Sequence, residues 1–431
     1  MYSSTIRLAA VAAGLIILAA PLTGSATQAP LTLPAAEQAA LQQQPLLAAQ
    51  QARIAASRER QVLAGELPDP QLIFGISELP LNTDERFSLQ RDGDTDVMVG
   101  VSQEFPRAEK RRLRSEQERI DSEQQLAELV MLEAQLRRDT ALAWLDIWTP
   151  QQALGLVDAL INEAQLELEA ADIAYRAGGL DQERLLAARV ELELLQDRRG
   201  QLEQTVASAE PVLRRWTGAP PSTDLTLPDS EPTLPTPPPL TALRSRVPKH
   251  PELVAAHFNI QGAENRLALA EQAYKPDWRL DVRYGYRPGP GFSEMLSVMV
   301  GMDLPVFTRN RQDRGVGAAV AELETVRGTH DDHHRMLLAR AEAQLAAYRH
   351  AEQRLMRYDQ SILPAAASRV DAALAGYRAG TTELAALLQA RRSLLDIRLM
   401  RLDLLAQRLR SQAEIRYLTT AEPPVGGHFH E

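Results

Sequence analysis

The chain is written twice, and this constrains its fold more than any single motif does. The run Pro45, Leu46, Leu47, Ala48, Ala49 recurs as Pro251, Glu252, Leu253, Val254, Ala255, a step of 206 residues (251 − 45 = 206), and the same step carries Pro70 onto Pro276. Val97-Met98-Val99-Gly100 recurs as Val298-Met299-Val300-Gly301. Tyr175-Arg176-Ala177-Gly178 recurs as Tyr377-Arg378-Ala379-Gly380, with Leu186 falling on Leu388 and Arg189 on Arg391. Four landmarks in the same order are more than two Ala/Leu-rich segments share by chance. Whatever one half folds into, the other repeats.

Each half reads helix, hairpin, long helix, helix. In the first, apolar residues stand at helical spacing from Pro34 to about Glu66, and Leu67-Pro68-Asp69-Pro70 stops them. Strands are expected over 71–79 and 96–105, joined by a polar loop, and Pro106 ends the second. A helical pattern then runs from Ala108 toward Ala177, kinked rather than ended at Pro150; Gly178-Gly179 turns it, and a last helix reaches about Arg215. The second half gives a helix from about Pro239 to Tyr274 disturbed at Pro248 and Pro251, strands at 277–287 and 295–304, and a long helix from Arg311 to Ala379 disturbed near Pro364. The turn Gly380-Thr381-Thr382 leads into a final helix ending near Tyr417. About 70 helical residues reach ~100 Å, which no globular core of this size uses. Such helices need partners along their whole length. Composition agrees: aromatics are only 5% of 431 residues, the profile of long helices packed along seams.

The organisation expected is a signal peptide over 1–26, a first repeat over 27–217 with its hairpin at 71–105, a Pro-rich linker over 218–238, a second repeat over 239–418 with its hairpin at 277–304, and a disordered tail over 419–431. Arg7 is the only charge before an apolar stretch from Leu8 to Leu22, and Gly24, Ser25 and Ala26 supply a small-residue cleavage site. The stretch is short for a spanning helix, which needs ~20 apolar residues; an uncleaved anchor is the other reading. No later segment approaches a transmembrane helix, so the processed chain is exported and is either soluble or part of a β-barrel. The formal charge of −10 gives no basic face for nucleic acid. The absence of cysteine excludes disulfides, thiolate metal sites and a lipid-modified N-terminus.

The strands carry the membrane argument. In the third, Trp278, Leu280, Val282, Tyr284 and Tyr286 alternate with Arg279, Asp281, Arg283 and Gly285. The first set is expected to face lipid; Arg279, Asp281, Arg283 and, from the fourth strand, Asp303 are expected to line a lumen. A soluble sheet alternates in the same way. But strands in lipid must leave no edge, since each unpaired backbone group costs several kcal/mol, and four strands fall short of the ~8 that the smallest barrels need. Several chains would have to share one wall. Three give twelve strands; the residues alone permit two or four copies as well.

From about residue 34 to 418 the chain resembles the TolC-type outer-membrane efflux family, most closely the branch serving cobalt–zinc–cadmium exporters. The resemblance rests on the duplication, on Pro70 and Pro276 before strands, on Gly100 through Pro106 followed by Lys110, Arg111 and Arg112, and on Tyr377-Arg378-Ala379-Gly380 followed by Leu384, Leu387, Leu388 and Ala390. It implies a mainly α fold with a small membrane β part: coiled-coil helices forming an α-barrel across the periplasm, and four strands per chain contributing to a homotrimeric twelve-stranded barrel in the outer membrane. It also implies a passive conduit docked on a periplasmic adaptor and an inner-membrane pump, with no enzyme activity and no cofactor. By the same resemblance the hairpin tips meet the adaptor: Tyr175, Arg176, Gly178, Gly179 and Leu180 in one, Tyr377, Arg378, Gly380, Thr381 and Thr382 in the other. Some members narrow the tip with an acidic residue where this chain has Ala386 or Gln389, so that gate does not carry over. Nor does the lipid anchor of many metal-exporting relatives.

One cluster has enzyme flavour. His330 and His334 stand one helical turn apart beside Asp331, Asp332 and His333, a spacing that suits zinc. No further ligand or dry pocket is evident, and a solvated polar face accounts for them. Two other readings stay open: a periplasmic adaptor with coiled-coil hairpins, which two equivalent halves argue against, and a soluble periplasmic metal-binding protein.

Overall fold

A computed structural model describes residues 30–421 apart from 83, 180, 223 and 224. The expected signal peptide and residues 422–431 of the tail lie outside the described residues. In chain order the elements are α1 (Leu33–Gln43), α2 (Pro45–Gly65), β1 (Gln71–Ser77), β2 (Asp96–Phe105), α3 (Ala108–Arg176), α4 (Gln182–Thr217), α5 (Leu240–Arg246), α6 (Pro251–Glu271), β3 (Trp278–Tyr286), β4 (Met295–Met302), α7 (Gln312–Arg357), α8 (Leu363–Arg378) and α9 (Leu384–Leu418). The two halves repeat one plan, α–α–β–β–long helix–helix.

The helix expected from Pro34 to Glu66 is broken once. Gln44 is extended, and Pro45 starts α2 because its ring presets the first-turn φ and removes only a donor that would be orphaned there. The Gln44 side chain is used: its amide donates to the carbonyl oxygens of Arg215 and Trp216, two of the unpaired acceptors at the end of α4. His250 holds the same place in the second repeat. It caps α6 by accepting from the Glu252 N–H, and its ring stands edge-on to Tyr417, in the last turn of α9, at 4.9 Å.

Pro150 sits inside an unbroken α3, as the sequence led us to expect. The counterpart of α3 is built differently. Residues 358–362 form a single π-helical turn between α7 and α8, directly before Pro364. A π turn is a one-residue insertion in a helix, and the repeat step changes by one across it. Val97 falls on Val298 (298 − 97 = 201) and Asp158 on Asp359 (359 − 158 = 201), whereas Tyr175 falls on Tyr377 (377 − 175 = 202). Both repeats keep the ion pair that ties the long helix to the returning one, Asp158–Arg199 and Asp359–Arg401.

The main core gathers where α1, α3, α4 and α9 meet. Trp144 and Trp148 are buried and stacked at 5.9 Å. Each indole N–H reaches a carbonyl outside the helices, Trp144 that of Leu31 and Trp148 that of Pro228, which a buried indole requires. The Pro-rich segment, read from composition as a linker and not a packed element, is packed. It is extended, but Leu225 and Leu234 are buried in this core, Thr226 accepts from the Leu31 N–H, and Glu231 pairs with Arg408. Proline spacing reports extension and carries no information about the two leucines that anchor it.

Candidate functional site: an open apolar sheet and two hairpin tips

The four strands form one antiparallel sheet in the order β1-β2-β3-β4. Its register puts alternate residues of all four strands on a common face. Phe74 pairs with Val99, Val99 with Tyr284 and Tyr284 with Leu296; one pair along, Leu72, Val101, Val282 and Val298 stand in line. This face is apolar and uncovered: Phe74 is 80% exposed, Leu296 71% and Val300 66%. Trp278, Val282, Tyr284 and Tyr286 are exposed there too, and Leu280 is half-buried. A contiguous exposed apolar face marks contact with lipid or with another chain. The outer edges of β1 and β4 have no partner strand within the sheet.

The opposite face is charged along β3 and mixed elsewhere, with Met98, Met295 and Met299 among Gly100, Ser102 and Ser297. Arg279, Asp281 and Arg283 follow one another on β3, Asp281 is buried, and Arg279 lies 3.6 Å from it. Arg283 pairs across the strands with Gly100, and its Cγ fills the space of a missing side chain: a Cβ on Gly100 would lie 2.7 Å from it. This accounts physically for a glycine that the sequence showed only as a landmark. Asp303 departs from expectation. β4 ends at Met302, which pairs with Trp278, the first residue of β3. Asp303 therefore lies beyond the sheet, in a cleft with Lys110, Asp277 and Arg311.

That cleft is the junction of sheet and helices. The Asp277 carboxylate accepts from the Arg107 N–H and from the Lys110 ammonium, both at 2.9 Å, while Lys110 also donates to the Lys275 carbonyl. Burial pushes the Asp277 carboxyl up, but Lys110 and the Arg107 N–H outweigh it and hold the group below the usual carboxylate range. The other two residues of the basic run turn elsewhere, Arg111 to the Gly65 carbonyl and Arg112 to Glu109. The start of the first long helix is thus clamped to the start of the second hairpin. Sequence reasoning missed Asp277, because its meaning depends on a partner 167 residues away.

At the far end of the helices lie the two tips. Gly178 and Gly380 adopt positive φ, +75° and +69°. In each tip a residue after the glycine closes the helix end, the Gly179 N–H on the Ala174 carbonyl and the Thr381 N–H on the Gly376 carbonyl. This is the six-to-one bond of a Schellman cap, which needs a residue free to enter the left-handed region. Tyr175 and Arg176 end α3, and Tyr377 and Arg378 end α8. Thr382 also donates to the Gly376 carbonyl; Leu180 lies outside the described residues. Asp181 caps α4 by accepting from the Arg184 N–H, and Arg184 reaches across at 3.2 Å to Glu383, which begins the other hairpin. Sequence spacing gave no sign of that bridge. Further along, Glu191 pairs with Arg392 and Arg198 with Asp396.

His330 and His334 are half-buried on α7, and His330 lies 3.5 Å from Asp331. Among the described residues no group of three or more His, Asp or Glu could hold a metal ion. Among the same residues no helix is long and apolar enough to cross a membrane.

A duplicated helical chain with a small open sheet at one end and paired helical hairpins at the other has the fold of an outer-membrane channel subunit. Residues 247–421, nearly the whole second repeat, match the model of the family described as outer membrane efflux protein. The fold is shared over most of the chain with CusC, whose structures concern transmembrane channel formation (TM-score 0.74, 16% identity, covering 91% of this chain and 93% of that one). It is shared likewise with the CmeC outer membrane channel of Campylobacter jejuni (0.76, 13%, 90% and 85%) and with the outer membrane protein VceC of Vibrio cholerae (0.75, 16%, 90% and 96%). No curated protein matches in sequence. The recognition made from the sequence agrees with both findings: the second repeat matches the outer membrane efflux family, and the fold over most of the chain is that of TolC-type channels. That family comprises channels, not enzymes.

Proposed function

We propose that the chain is the outer-membrane subunit of a tripartite exporter and that three copies close one twelve-stranded barrel. The observation that carries this is the sheet: an exposed apolar face over all four strands, an opposite face charged along β3, and two open edges. In lipid those edges need strands from neighbouring copies. Trp278, Leu280, Val282, Tyr284 and Tyr286 then face lipid, and Arg279, Asp281 and Arg283 face a water-filled lumen. Asp303 stands at the lower rim of that lumen, where the sheet meets the helices. The helices continue the duct through the periplasm, and the tips around Gly178 and Gly380 dock on a periplasmic adaptor linked to an inner-membrane pump. Cargo diffuses through; no bond is broken. Divalent metal cations are the cargo class that the family branch suggests.

Two measurements test this. The full chain should need detergent for extraction from outer membrane and should then have the mass of three copies; a lone water-soluble particle would overturn the proposal. Deletion followed by growth on cobalt, zinc and cadmium salts, dyes and antibiotics identifies the cargo. Sensitivity to the metals alone supports the metal assignment, and sensitivity to the dyes or antibiotics alone refutes it.

A further inference from the structure

A duplicated chain that closes a ring has two kinds of seam. One joins the first repeat to the second within a copy; the other joins the second repeat to the first of the next copy. Residues related by the repeat step occupy equivalent places at both, so the visible seam specifies the other.

Within the chain, the α4–α9 seam carries three ion pairs beside the buried Leu185, Leu384 and Leu387: Arg184 with Glu383, Glu191 with Arg392, Arg198 with Asp396. Moved on by 202 residues, the α4 partners become Ala386, Ser393 and Met400 of α9. Moved back by 202, the α9 partners become Asp181, Val190 and Leu194 of α4. Every charge pair is lost, and Asp181 is engaged as the cap of its own helix. The α3–α9 contact behaves alike. Arg391 pairs with Glu163 at 3.1 Å and with Glu167, whereas the shifted positions set Arg189 against Ala365 and Arg369.

Exposure makes the same division independently. Leu186, Val190 and Leu194, at i, i+4 and i+8 and therefore on one face of α4, are 47%, 57% and 54% exposed, and Met400 is 53% exposed. Arg392 and Asp396, which replace Val190 and Leu194 in the second repeat, are engaged by α4 of their own chain.

We infer that the seam between copies is formed by Leu186, Val190 and Leu194 of α4 in one copy against Ala386, Ser393 and Met400 of α9 in the next, and that it carries no ion pair. The partner is a second copy of this chain, and the assignment rests on the ring proposed above.

The chain has no cysteine, so pairs can be introduced cleanly. In the full-length protein, Leu194→Cys with Met400→Cys should link copies on oxidation and run as covalent dimers and trimers. Val190→Cys with Ser393→Cys is the second such pair. Glu191→Cys with Arg392→Cys should close within a copy and run as a monomer. Two differently tagged chains, one L194C and one M400C, should give a mixed dimer when co-expressed. Particles with the mass of several copies in which neither outer pair links, or in which E191C/R392C links copies, would overturn the assignment. A single-copy mass would instead refute the ring itself.

Discussion

Adjacent residues on β4 give the sharpest test of which face of the sheet meets lipid. Val298 pairs with Val282, midway along both strands, and lies on the apolar face; it is 60% exposed. Met299 pairs with Asp281 and lies on the opposite face. If the chain were soluble, arginine at Val298 would be an exposed surface change, within about 0.5 kcal/mol of neutral. In a bilayer the same change near the midplane costs about 2–4 kcal/mol per copy, and in the proposed trimer it is made three times in one barrel wall. Arginine at Met299 stands opposite the Asp281 carboxylate in either setting and should cost little. Val298→Arg is therefore expected to abolish detergent-extractable trimers, while Met299→Arg assembles at the wild-type level. The assay is the fraction of chain recovered at trimer mass from outer membrane. Equal recovery of both variants would refute the assignment of faces, whatever the total yield.

Further outcomes are expected away from the sheet. Gly380→Ala places a side chain at φ +69° and should destabilise the tip by about 1–2 kcal/mol, read as faster hydrogen exchange over 376–384 with β2 and β3 unchanged. Lys110→Met should return the Asp277 carboxyl toward its ordinary range. The wild-type clamp is present above that range and is lost as pH falls through the lowered value; half-exposed, it is worth under about 1 kcal/mol, and acid unfolding curves of the two proteins should converge at low pH. His250 is buried and neutral, lowered to about 4 chiefly by burial, against a smaller opposing pull from the Tyr417 backbone. As pH falls from about 6.5 toward 4 the unfolded chain takes up a proton that the folded one refuses, so stability should drop by about 3 kcal/mol per copy over that window. His250→Asn, which can still cap α6, should flatten that part of the curve while lowering stability at pH 7.

The elements were legible because their signals are local. Alternation on β3 and β4 and glycine at both tips are each read from a few neighbouring residues, and the structure places strands and turns there; the fresh helix start at Pro45 was not read, because the apolar spacing runs on through it. Strand ends were less legible. The expected run to 304 carries the alternation past Met302, but the ladder stops there, because the partner of Met302 is Trp278, the first residue of β3. The long-range ties could not be read at all. Gln44 on the end of α4, Arg184 on Glu383 and Trp148 on the Pro228 carbonyl join residues 80 to 199 positions apart. Each involves a side chain whose local context permits an exposed, solvated position equally well.

Duplication makes some of these ties recoverable, and what recurs differs from what diverges. Some features that hold a repeat together recur with their chemistry intact: the Schellman turns at Gly178 and Gly380, and the pairs Asp158–Arg199 and Asp359–Arg401. Other ties, within a repeat or between the two, recur in place and change in kind. Gln44 bonds to the end of α4, and its counterpart His250 packs a ring against the end of α9. Arg392 and Asp396 are charged where Val190 and Leu194 are apolar. A ring of identical repeats would need every seam to be the same, so neither the ionic nor the apolar solution could be confined to one kind. Two repeats in one chain lift that constraint. In the proposed ring, seams within a copy carry ion pairs that the seams between copies lack, and the latter rest on shape and burial.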